Sequence, residues 1–106
     1  MNSILLDFYS AWQTFDAELI INHLDNNFVY DSQWVFESLN RNEYADYIRG
    51  KFQTLRSKNA YIDVSIVDDP YNPGDCMLKL IQGSNICYYR VKIHKNKVIK
   101  GDLCMF

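Results

Sequence analysis

Residues 26–37 read NNFVYDSQWVFE, and the reading of this stretch decides the fold. Residues 28–32 form a strand, a sharp corner follows, and residues 34–37 form a second, shorter strand. Strand alternation sends Phe28, Tyr30 and Ser32 to one face and Val29 and Asp31 to the other. A corner of this kind opens into a pocket. The chemistry therefore turns on which side chain faces it, Asp31 or Ser32.

Upstream, Ile4, Leu5, Phe8, Ala11, Trp12 and Phe15 recur at one-face helical spacing. Asp16 offers a cap for a second, shorter helix with Ile20, Ile21 and Leu24 turned inward. Asp25-Asn26-Asn27 is turn chemistry. Downstream, Asn40-Arg41-Asn42-Glu43 forms a capping box with Asn in place of Ser or Thr. The helix it starts carries Tyr44, Tyr47, Ile48, Phe52 and Leu55 on one stripe and ends near Ser57-Lys58-Asn59.

The period then changes from helix to strand. Residues 61–67 alternate, with Ile62, Val64 and Ile66 on one face. Residues 68–75, DDPYNPGD, are a long turn that holds both prolines. Residues 76–82 are a strand, and Gly83-Ser84-Asn85 turns the chain into residues 86–94. Lys95-Asn96 is a tight hairpin. Residues 97–105 are the last strand, in which Gly101 marks a bulge or a close approach. The predicted order is α-α-β-β-α-β-β-β-β. This is an α+β class, with three helices packed on a curved, mainly antiparallel sheet.

Length and composition bound the function. A chain of 106 residues, 48% hydrophobic and 15% aromatic, forms one domain over residues 1–106 with an ample core. A net charge of −2 excludes the basic footprint that nucleic-acid binding needs. No apolar run is long enough to span a membrane. MNSILLDFYS lacks the basic region and cleavage site of a signal peptide. Cys76, Cys87 and Cys104, odd in number and set in strand-like runs, read as reduced core thiols in a cytoplasmic protein. No CxxC is present, and only His23 and His94 could assist a metal, so no metal or cofactor is expected.

Three segments carry a resemblance to a known family: FYSAWQTFDAELIINHLDNNFVY (residues 8–30), DSQWVFE (31–37) and NRNEYADYIRGKF (40–52). Together they resemble the NTF2-like superfamily, which includes SnoaL-like and ketosteroid-isomerase-like proteins, and the likeness covers nearly all of the chain. It implies a cystatin-like cone, in which a long helix steps into a short one at Thr14-Phe15-Asp16-Ala17. That scaffold hosts isomerases, dehydratases, cyclases, transport factors and immunity proteins, so the likeness specifies fold and not function. The isomerases' general-base position falls on Ser32, their oxyanion tyrosine on Phe8, and their protonated acid near Tyr89. A serine hydroxyl is no base near pH 7 without an activator.

The resemblance and the residues leave three functional readings. In the first, the cone binds a small apolar or aromatic ligand without isomerase-type catalysis. Trp12, Tyr30, Ser32, Trp34, Tyr47 and Tyr89 would line the site, with the hydroxyls setting orientation. In the second, a filled cone serves as a protein-interaction module, a homodimer or a partner-binding domain such as an immunity protein. In the third, a bulge turns Asp31 inward as the weak catalytic candidate of an isomerase, dehydratase or cyclase. Each residue also has a plainer role: Trp12, Trp34 and Phe36 as core, Asp31 as a solvated strand residue, Asp68, Asp69 and Asp75 as turn formers. Lys92, Lys95, Lys97 and Lys100 read as a solvated edge guarded against strand pairing, and alternation puts Arg90 and Lys92 on one face. Apolar groups such as Tyr88 on the convex sheet face lead us to expect a homodimer. The chain ends at Phe106, directly after the last strand, which points to a small cavity.

Overall fold

Ile4, Leu5, Phe8, Ala11 and Trp12 form one buried stripe along α1 (Ser3–Thr14) in a computed structural model of the protein. The structure describes residues 3–32 and 37–105, apart from the side chains of Ser32, Cys104 and Met105. Phe15 ends α1 with φ near 57°, a left-handed conformation that is uncommon for an aromatic residue. Its ring packs 5.8 Å from Phe52, and its carbonyl accepts from Arg56, so tertiary contacts hold the turn. The Asp16 carboxylate accepts from the Glu18 N–H at the start of α2 (Glu18–Ile21).

The chain then enters β1 (Leu24–Ser32), and β2 (Leu39–Asn40) pairs antiparallel with it. The sequence places the second strand at residues 34–37. Residues 34–36 lie outside the described residues, Glu37 sits in a bend, and the pairing falls instead on Leu39 and Asn40. The capping box at the start of α3 (Arg41–Ser57) is complete: Asn40 accepts from the Glu43 N–H, and Glu43 accepts from the Asn40 N–H. This satisfies two backbone donors that would otherwise be orphaned.

β3 (Asp63–Asp68), β4 (Cys76–Gln82), β5 (Asn85–His94) and β6 (Lys97–Met105) complete a six-stranded sheet in the order β2-β1-β6-β5-β4-β3. All neighbours are antiparallel except β1 and β6, which run parallel. A two-residue turn, Gly83-Ser84, joins β4 to β5, and Lys95 and Asn96, both at positive φ, join β5 to β6. Along β5 and β6 the pairing steps from Lys92↔Lys100 to Ile93↔Val98, leaving Ile99 as an extra residue that bends the sheet. The basic hairpin is therefore not a sheet edge. β1 covers the far side of β6, and the edges are β2 and β3.

α1 lies against β3 and β4, and α3 against β1, so the concave face encloses one apolar core. Phe8, Ala11 and Trp12 are all buried in it. This is an α+β architecture with three helices in the bend of an open, mixed sheet, in the order that the sequence predicts.

Candidate functional site

The opening corner resolves in favour of alternation. Phe28 and Tyr30 point into the core, while Val29 and Asp31 face out. The Asp31 side chain is 42% exposed and lies 3.5 Å from Lys100 Nζ across the β1–β6 pairing. Its other oxygen accepts a hydrogen bond from Ser38. No bulge turns this carboxylate inward. The Ser32 side chain and the whole of Trp34 lie outside the described residues.

Aromatic rings fill the axis of the cone. Tyr30 stands 4.4 Å from Tyr44, 5.8 Å from Tyr47 and 6.1 Å from Tyr89, centroid to centroid. Phe28 and Phe8 close the cluster at 5.1 Å from Tyr44 and 5.9 Å from Tyr89. The Tyr44 and Tyr89 hydroxyls meet at 2.8 Å in the buried centre. Burial raises both phenols well above their ordinary range, because an ionised phenolate there would be desolvated. These hydroxyls therefore stay protonated at neutral pH. They can donate hydrogen bonds but cannot act as bases.

Gly101 makes room for this arrangement. A Cβ at that position would stand 2.8 Å from the Tyr89 hydroxyl and 3.3 Å from Phe28. The close approach predicted at Gly101 is thus the seat of a tyrosine hydroxyl, and the bulge sits two residues earlier, at Ile99.

A cavity of about 200 Å³ opens beside this cluster, at the end of the cone. Trp12 from α1, Lys51 from α3, Ile62 before β3, Leu80 and Gln82 from β4, Asn85 and Cys87 from β5, and Leu103 from β6 surround it. Gln82↔Asn85 and Leu80↔Cys87 are register partners, so the pleat turns all four toward the same face. Lys51 Nζ lies 6.0 Å from the Trp12 ring centroid and 5.8 Å from that of Tyr47, within cation–π range of both. Trp12 also packs edge-on against Phe52 at 4.9 Å. Its indole N–H is buried and finds no acceptor among the described residues.

Of the residues singled out from sequence, Tyr30, Tyr47 and Tyr89 come together in the filled core, and Trp12 lies in the cavity wall. Tyr30, Tyr47 and Tyr89 do not line the cavity. Lys51, Gln82, Asn85 and Cys87 were not anticipated there. Lys51 follows Tyr47 by four residues on α3, and Gln82 and Asn85 flank a two-residue turn, which are the local signals that could have found them.

Two polar clusters lie elsewhere. His23 Nε2 is 2.6 Å from Asp7 Oδ2 and ties the end of α2 to α1, so its carboxylate partner is Asp7 and not Asp31. Asp69 is buried under the proline loop and is more than the turn former that the sequence suggested. It accepts from the Tyr71 N–H at 2.9 Å, from Asn72 Nδ2 at 3.0 Å and from Arg90 Nε at 2.9 Å. Burial alone would raise its pKa. The three hydrogen bonds and the Arg90 charge outweigh that and hold it below the usual carboxylate value. No cluster with metal-binding geometry occurs among the described residues, and no helix there is long and apolar enough to cross a membrane.

No family model and no curated protein matches the chain. Solved structures do match. A SnoaL-like protein of unknown function from Burkholderia thailandensis superposes with a TM-score of 0.73 at 11% identity, covering 100% of this chain and 98% of that one. AclR, a putative hydroxylase from Streptomyces galilaeus, gives 0.68 at 15% identity over 98% and 86%. A hypothetical protein with a ketosteroid-isomerase-like fold from Catenulispora acidiphila, in complex with trimethylamine, gives 0.62 at 9% identity over 98% and 85%. At these identities the likeness concerns the fold alone. The chain has the NTF2-like cone fold, shared with SnoaL-like and ketosteroid-isomerase-like proteins.

Proposed function

We propose that the protein binds a small apolar or aromatic molecule at the end of its cone and carries out no isomerase-type proton transfer. The carrying observation is the cavity of about 200 Å³ with an apolar floor of Ile62, Leu80, Leu103 and Trp12. An engineered cavity of roughly 150 Å³ accepts benzene, so this one suits a single ring or a short branched chain. The trimethylamine in the Catenulispora acidiphila protein supports a ligand of few heavy atoms on this scaffold. Against proton transfer stand the outward, solvated Asp31 and the phenylalanine at position 8. The free thiols of Cys76 and Cys87 support a reducing, cytoplasmic setting. Titration with a panel of one-ring compounds, followed by thermal shift, tests the reading. Saturable stabilisation that is lost in Leu80→Trp, which fills the cavity, supports it. No shift with any compound sinks it.

A second reading, a homodimer or partner-docking module, draws on the convex sheet face. Ile86 is 38% exposed there, beside Tyr88, which lines a shallow depression with Val67 and Met77. Exposed apolar groups on one face mark interfaces. Light scattering at tens of micromolar decides it: a monomer mass rejects the homodimer.

A further inference from the structure

Resting on the ligand cavity proposed above, we infer that its ligand is an anion: a small monocarboxylate whose apolar body fills the pocket and whose charge meets Lys51 at the mouth. Size and charge both point this way.

The floor is apolar and its volume limits the body to about one ring. Among the described residues the wall carries a single charged side chain, and it is a cation. Lys51 offers three donors and no acceptor. Gln82 and Asn85 contribute amides, which can donate to either oxygen of a carboxylate. Among the described residues no Asp or Glu lines the cavity, although acidic residues outnumber basic ones in the chain by thirteen to eleven. The pocket is thus locally positive in a protein of net charge −2.

Lys51 is also free to act. Its neighbours are the faces of Trp12 and Tyr47, and no carboxylate among the described residues forms an ion pair with it. Arg49, on the same helix, is paired with Glu18 and Asp46. A cation would be repelled by Lys51, and a neutral hydrocarbon would leave its charge without a counter-ion. A carboxylate pairs with it.

The test compares two probes with the same ring, benzoate and benzyl alcohol, on the full chain. Binding is read from the Trp12 indole N–H resonance, assigned with Trp34→Phe. The expected result is saturation by benzoate with roughly ten-fold tighter affinity than benzyl alcohol. Lys51→Met should level the two affinities, while Lys51→Arg should keep the preference for benzoate. Equal or tighter binding of benzyl alcohol, or a preference that survives Lys51→Met, overturns the anion assignment and leaves the apolar pocket standing. If neither probe perturbs the indole signal up to about 10 mM, the pocket reading fails and this inference fails with it.

Discussion

The hydroxyl of Tyr89 occupies the space that a side chain at Gly101 would need, 2.8 Å from where its Cβ would stand. The two residues are not register partners, since Gly101 faces Val91 and Tyr89 faces Leu103. The tyrosine leans diagonally across β6, and Tyr44 pins its hydroxyl from α3. Gly101→Ala should therefore destabilise by about 1–3 kcal/mol, as overpacking does. In the Tyr89→Phe background the same change should cost less, because the conflicting atom is gone. Urea denaturation of the four proteins of this double-mutant cycle measures the difference. Strict additivity would refute the relationship.

The Tyr44–Tyr89 hydroxyl pair makes a second prediction. Tyr44→Phe alone leaves a buried hydroxyl without its partner and should cost about 1–3 kcal/mol. Removing both hydroxyls together should cost less than the sum of the two single changes, since no unpaired group then remains. Equilibrium unfolding of the three variants measures it, and a double variant as unstable as the sum shows that the pair is not coupled.

Asp69 predicts an acid dependence. Its folded-state pKa lies below the unfolded value of about 3.9, so its contribution to stability is present above that pH. It is lost as pH falls through the folded-state value. Asp69→Asn, which removes the charge facing Arg90, should therefore be most destabilising near pH 7, with the gap to the parent narrowing below about pH 4. Denaturant midpoints for both proteins from pH 7 to pH 2 check the sign. A gap that widens in acid would contradict the Arg90–Asp69 clasp.

Asp31→Asn predicts very little. The carboxylate is solvent-facing, and exposed ion pairs such as its contact with Lys100 contribute about 0.2–1 kcal/mol. Stability should change by no more than about 0.5–1 kcal/mol. Binding of any cone ligand should be unchanged. A large loss of binding would return Asp31 to the site.

Much of this was legible along the chain. The stripe from Ile4 to Trp12, the reciprocal cap of Asn40 and Glu43, and the alternation through Phe28, Val29, Tyr30 and Asp31 are local patterns. They depend only on the periods of helix and strand, which any window of the sequence displays. Alternation alone therefore turned Asp31 outward.

Tertiary structure decided the rest. Tyr44 and Tyr89 lie 45 residues apart, yet their hydroxyls meet. Asp69 and Arg90 join across 21 residues, and the cavity draws its wall from both helices α1 and α3 and from three strands. The parallel pairing of β1 with β6 took the last hairpin from the sheet edge to its interior. Periodicity assigns a side chain to a face, but the distance between two faces depends on strand order, register and the bend at Ile99. Those are set by the packing of the whole chain, and so the tyrosines fill the cone while Trp12 and Lys51 border the space that is left.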